Sequence, residues 1–234
     1  MQSRTLGVTQ GALVPGGMPC SVIAVLIGNA LLRAAPGALH VTALDHCVRI
    51  GCTAWTLLTA PQRKRATDDM TLTVAEVLDN LVAVVTYAAP WRAEVELTGL
   101  HLSAGVDVPA AALEFLRATA TTADSIVEYA TADSLPAALQ TAAARAATTG
   151  RSLAATITYV GHTVVVVFVH DDYGTIVHAV DSLTGEWLIA DELATPDLLA
   201  RVTTGWCAPA ATVDAAQFTV NIFGRHAPAP LPEY

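Results

Sequence analysis

The sequence predicts an α+β fold in which a helical part packs on an antiparallel sheet, and three observations carry that prediction. Apolar runs at helical spacing fill most of the first 150 residues. Short β-branched runs dominate the rest, and Asp171-Asp172-Tyr173-Gly174 separates two of them as a hairpin turn does. Helices first and antiparallel strands later make one α+β domain, predicted over residues 1–226, with a Pro-rich tail over 227–234.

Taken in order, residues 1–19 read as irregular, with Gly and Pro doing the turning. Ser21–Ala34 is apolar nearly all round and predicts a central, buried helix. Val41–Leu58 is a second helix, with Asp45, Arg49 and Thr53 on its polar side. The polar stretch Pro61–Asp69 reads as a loop, and Thr73–Val85 as an amphipathic helix opened by a Thr73/Glu76 capping pair. Glu94–Leu102 alternates as a strand does, and Pro109–Thr119 and Leu135–Thr149 are Ala-rich helical segments, the second closed by Gly150. Leu153–Tyr159, His162–His170, Thr175–Asp181 and Phe218–Phe223 are the predicted strands.

A chain of 234 residues can bury a sizeable core. No run has the length and purity of a membrane span: Ser21–Leu32 is short, and Val164–Val169 is bounded by His162 and His170. The N-terminus lacks the pattern of a signal peptide. A net charge of −9 argues against nucleic acid as a partner and suits a basic protein surface. Four cysteines in a chain this long do not read as a disulfide framework, so a reducing, intracellular compartment is expected.

The chemistry is concentrated in two places. In Gln10-Gly11-Ala12-Leu13-Val14-Pro15-Gly16-Gly17-Met18-Pro19-Cys20, a cysteine stands behind a Gly/Pro turn at the head of an apolar helix. Pro19 suits the first helical turn, and the free amides and positive dipole end of the helix would stabilise a thiolate at Cys20. Gln10 would offer an N–H to the oxyanion formed when that thiolate attacks a carbonyl. The plain alternative is a core helix that carries a buried cysteine. In the second place, antiparallel partners across the 171–174 turn sum to about 345. That register puts His162 opposite Leu183 or Asp181, both on one face of the hairpin. A histidine with a carboxylate across from it is the second half of a Cys-His-Asp site. Alone, His162 also reads as an edge-strand residue and Asp181 as a turn former. His170 lies at the turn end, roughly 26 Å away at about 3.3 Å per residue, and His178 falls on the face opposite to Asp181. His46-Cys47 with Cys52 lacks the second pair of a zinc site, so burial is the better reading; Trp206-Cys207 reads as core. No cofactor or metal is expected.

Thr9–Cys20 resembles the start of the N-terminal deubiquitinase domain of the herpesvirus large tegument protein, in which a Gln and a loop ending in Pro-Gly-Gly precede the nucleophilic Cys. Ala155–Thr158, Thr163–Val167 and His178–Asp181 look like that family's central hairpin, and Phe218–Phe223 like its closing strand. The resemblance implies a papain-like fold, a viral cysteine protease of the deubiquitinase type, and ubiquitin or a ubiquitin-like protein as partner. Cys20, Gln10 and Asp181 carry over from it. The family's hairpin has Asp-x-His, whereas this chain has Asp181-Ser182-Leu183. Two outcomes follow: either His162 serves the same space from the neighbouring strand, or the site is degenerate and the domain acts as a non-catalytic binding module. The cross-strand register favours the first.

Overall fold

A computed structural model of the chain describes residues 1–15, 19–33, 40–57, 126–131, 133–159, 162–171, 173–207 and 217–224. At its centre is the strand His162–Asp171 (β4), whose interior Thr163–Phe168 is buried throughout. Such an unbroken apolar, β-branched run is the pattern of a strand covered on both faces. The other strands are Gln2–Thr5 (β1), Ile126–Thr131 (β2), Leu153–Tyr159 (β3), Gly174–Asp181 (β5), Glu186–Ala190 (β6) and Gln217–Gly224 (β7). Among the described residues these strands form a seven-stranded sheet in the order β1-β6-β5-β4-β3-β7-β2, each neighbour antiparallel.

Helices cover both faces. Cys20–Arg33 (α2) and Val41–Leu57 (α3) bury Ile23, Ile27, Leu31, Leu44 and Val48 against Val165, Val167, Val180 and Trp187. On the other face Leu135–Thr149 (α4) and Thr195–Arg201 (α5) bury Leu135, Leu139, Leu198 and Leu199 among Ile157, Val164, Val166, Phe168 and Leu188. The odd and even residues of β4 therefore serve two separate cores, as the two-residue period of a strand requires. α4 ends where expected: Gly150 adopts φ 63°, the left-handed conformation that glycine enters without a Cβ penalty, and its N–H closes on the Ala146 carbonyl.

The expectation of an irregular segment over residues 1–19 is corrected. β1 lies within it, paired with β6, and a single helical turn, Gln10–Leu13 (α1), follows. All four β1 residues are exposed, so no apolar alternation marks that edge strand. β2, β6, α5 and the π-helical turn Val202–Trp206 were likewise not read from the sequence. The expected loop over 61–69, helices over Thr73–Val85 and Pro109–Thr119, strand over Glu94–Leu102 and tail over 227–234 lie outside the described residues.

Two close approaches fix what carries the site. Asp45 on α3 accepts hydrogen bonds from the Gly7 and Val8 amides at 2.9 and 3.2 Å, anchoring the segment that leads into Gln10. Gly51 on α3 lies against the first turns of α2: a Cβ there would sit 2.4 Å from Ile23 Cγ1 and 3.1 Å from the Ile23 amide nitrogen. Ile23 is β-branched and stiff, so the helices have to separate rather than the side chain yield. Gly51→Ala is accordingly expected to destabilise the fold by about 1–3 kcal/mol, read as a lowered midpoint in urea unfolding. An unchanged midpoint would mean that α2 and α3 are less tightly seated than this contact implies.

Candidate active site

Cys20 is the first residue of α2, whose opening turn is closed by the Ile23 amide on the Pro19 carbonyl at 3.0 Å. The cysteine is buried, and it is a hydrogen-bonding partner of the His162 imidazole. His162 opens β4. Its Nε2 lies 2.9 Å from Asp181 Oδ1, which leaves Nδ1 as the ring nitrogen for the sulfur. The site thus forms at the end of the sheet where the start of β4 meets the head of α2. The hairpin register is the expected one: Val165 pairs with Val180 and Asp171 with Gly174, so paired numbers sum to 345.

Asp181 is only 3% exposed and is held by more than the imidazole. The Leu183 amide donates to the same Oδ1 at 2.8 Å, the Thr184 hydroxyl adds a side-chain hydrogen bond, and the Gly185 amide closes the turn on the Asp181 carbonyl. Burial disfavours the carboxylate, but hydrogen bonding and charge from His162, with the Leu183 and Thr184 donors, overcome it and hold Asp181 below the ordinary carboxylate range. For His162 the balance runs the same way. Burial pulls the imidazole down, yet hydrogen bonds and charges from Asp181 and Cys20 outweigh it and push the group up to about 9. At neutral pH His162 is an imidazolium beside a carboxylate.

Gln10 joins the same cluster from α1. Its backbone amide donates to the Ser182 carbonyl at 3.0 Å, and the Ser182 hydroxyl donates to Gln10 Oε1 at 2.9 Å. With the oxygen end of the carboxamide occupied, its NH2 end is the one left to donate. Gln10, Ser182, Asp181, His162 and Cys20 are therefore linked in one chain of contacts, although they come from three distant parts of the sequence. Leu183, where the resembling family has histidine, is half exposed beside Gly11.

The rival histidines are elsewhere. His178 lies on the other face of β5, stacked on Trp187 and accepting its indole N–H at Nδ1; burial and the Arg4 charge push it down to about 4. His170 bonds the Thr175 hydroxyl at the turn end of the hairpin. Cys47 and Cys52 are buried within α3 and its neighbours, their thiols pushed by burial up to about 12 and about 11. Among the described residues no group of three or more His, Cys, Asp or Glu side chains could hold a metal ion.

Three residues at the site were not anticipated. Ser182 holds Gln10, and Tyr159 packs its ring on His162. Cys207, read as core, is buried, but its thiol also feels the Asp181 charge: burial first, then that carboxylate, push it up to about 12. Tyr159 could have been found, because pairing the adjacent β3 and β4 runs end to end makes it the direct partner of His162. Nothing in the local sequence announces Cys207, whose place depends on how the segment after β6 returns to the sheet.

The chain is similar in structure to the ubiquitin-specific protease encoded by murine cytomegalovirus tegument protein M48, solved in complex with a ubiquitin-based suicide substrate. The two share 12% identity at a TM-score of 0.49, over 100% of this chain and 90% of that one. It is also similar to the Pseudomonas avirulence protein AvrPphB, at 11% identity and a TM-score of 0.42 over 95% of this chain and 96% of that one. No family model and no curated protein sequence matches the chain.

Proposed function

We propose that this chain is a papain-like cysteine protease that cleaves ubiquitin conjugates, with Cys20 as nucleophile, His162 as general acid/base, Asp181 as the group that orients it and Gln10 as oxyanion donor. The observation that carries the reading is the Cys20–His162–Asp181 hydrogen-bonded line, with Gln10 tied to it through Ser182. The choice of ubiquitin is supported by the resemblance of Thr9–Cys20 to the herpesvirus deubiquitinase domain. The four cysteines are buried and none is in a disulfide, which suits a reducing compartment.

The steps follow from the residues. The Cys20 sulfur, its proton on His162, attacks the carbonyl carbon of the scissile amide, and the carbonyl electron pair moves to oxygen. The Gln10 NH2 donates to that oxyanion. His162 gives its proton to the leaving amine as the C–N bond breaks, leaving a thioester on Cys20. Water then attacks the thioester carbonyl and loses a proton to His162. The C–S bond breaks with its electron pair on sulfur, the carboxylic acid product leaves and ionises to solvent water, and the Cys20 sulfur and protonated His162 are restored.

A ubiquitin probe with a C-terminal thiol-reactive group tests the reading. Intact-mass analysis is expected to show one ubiquitin added to the wild-type chain and none to Cys20→Ala. Alkylation of Cys20 by iodoacetamide without ubiquitin labelling would indicate a protease with a different substrate. Inertness to both would leave the domain as a binding module. Gln10→Ala is expected to lower kcat about ten- to a thousandfold with KM nearly unchanged, as loss of one oxyanion donor does. A change confined to KM would recast Gln10 as a substrate-groove residue.

A further inference from the structure

Resting on the reading of Cys20, His162 and Asp181 as a catalytic line, we propose that Tyr159 is the positioning residue of the imidazole: its ring, tethered through its hydroxyl to the Trp206 carbonyl, fixes the plane in which His162 can face Asp181 and Cys20 together. The geometry is local and specific. Tyr159 and His162 are direct partners at the last rung of β3 and β4, so both side chains project from the same face. Their rings meet edge to face, with centroids 5.6 Å apart and planes at 84°.

His162 is the first residue of β4, bonded to Asp181 and Cys20, and Tyr159 adds a packed ring that restrains its plane. Tyr159 is itself immobilised. Its hydroxyl donates to the Trp206 carbonyl at 2.7 Å in a buried bond, and the Phe218 ring packs on it with centroids 5.7 Å apart. The Trp206 carbonyl is held in turn: the Trp206 indole donates to Glu186 Oε2 at 2.8 Å, and Glu186 is the β6 partner of Asp181. The contacts therefore close a ring, from His162 through Asp181, Glu186, Trp206 and Tyr159 back to His162. Burial first, then the nearby negative groups, pushes the phenol well above its ordinary range, so Tyr159 keeps its proton and stays a neutral donor to the Trp206 carbonyl.

Tyr159→Leu and Tyr159→Phe separate this role from general packing. The leucine variant removes the ring. It is expected to lower kcat by about ten- to a hundredfold with KM unchanged, the scale of a misplaced catalytic group. In the same variant the His162 imidazole, followed by NMR against pH, is expected to titrate lower by about one unit or more, because water enters its bond to Asp181. The phenylalanine variant keeps the ring and loses the tether, so a smaller loss of about two- to tenfold in kcat is expected, again without a change in KM. A folded Tyr159→Leu with wild-type kcat and an unmoved His162 titration overturns the proposal. Should that variant not fold, Tyr159→Phe with both quantities unmoved does the same. The titration needs no turnover, so an inert wild-type protein would refute the catalytic reading while the His162 shift still decides the role of Tyr159.

Discussion

Replacing His162 by alanine is expected to lower kcat on a ubiquitin conjugate by about a thousandfold or more, the scale seen when a catalytic base is removed from a nucleophile-imidazole-carboxylate site. The magnitude follows from the ring's double engagement: one nitrogen on Asp181, the other toward Cys20. Neither of the rival histidines of the sheet is placed to substitute. His178 is neutral at working pH, enclosed by Trp187 on the other face of the sheet, and His170 sits at the far end of β4. His170→Ala and His178→Ala are therefore expected to leave kcat largely intact, the second at some cost in stability from lost stacking on Trp187. Steady-state kinetics of the three variants, with circular dichroism to check folding, decide the matter. Retained turnover in His162→Ala would remove the imidazole from the mechanism.

The part of the site that was legible in the sequence is the part governed by local rules. The 171–174 turn sets the β4/β5 pairing, and pairing sets parity; from these, His162 and Asp181 fall on one face and His178 on the other, as the structure has it. Cys20 at the head of α2 followed from Pro19 and the apolar run after it. α3 and α4 ended within a residue of expectation for the same reason, since a loss of period or a glycine closes each.

What was not legible depends on distant pairing. β1 is polar and exposed, so only its ladder with β6 makes it a strand. Gln10 was singled out by its spacing from Cys20, but the group that orients its carboxamide, Ser182, is 172 residues away and is reached only because the 181–185 turn docks on the N-terminal segment. Asp181-Ser182-Leu183, which departs from the resembling family's Asp-x-His, brings the site together through its first two residues: one holds the imidazole and the other holds the glutamine.

The electrostatics of that turn yield the second large effect. Asp181→Asn keeps an oxygen for the Leu183 amide and so spares the turn, but it removes the charge facing His162. We expect kcat to fall about a hundred- to ten-thousandfold, in the range of other orienting carboxylates neutralised beside an imidazole. His162, pushed up to about 9 by Asp181 and Cys20 in the wild-type site, is expected to fall toward its ordinary 6.5. The wild-type rate should accordingly decline above pH 9 as the imidazolium is lost, and in the variant that decline should move to lower pH. Stability changes with the same signs. A carboxylate whose titration is depressed on folding contributes above its unfolded value, here 3.8, and loses that contribution as pH falls through its folded value. An imidazole raised on folding contributes fully below 6.5 and loses its contribution as pH rises through about 9. The pair is thus worth most between about pH 4 and 6.5. There Asp181→Asn should cost about 1.5–3 kcal/mol, the worth of a hydrogen bond to a charged group, and the gap between variant and wild type should narrow by pH 9.5. Urea unfolding at pH 6 and pH 9.5 measures both ends; a gap that does not change with pH would mean that Asp181 stabilises the turn alone and that the charge on His162 has another source.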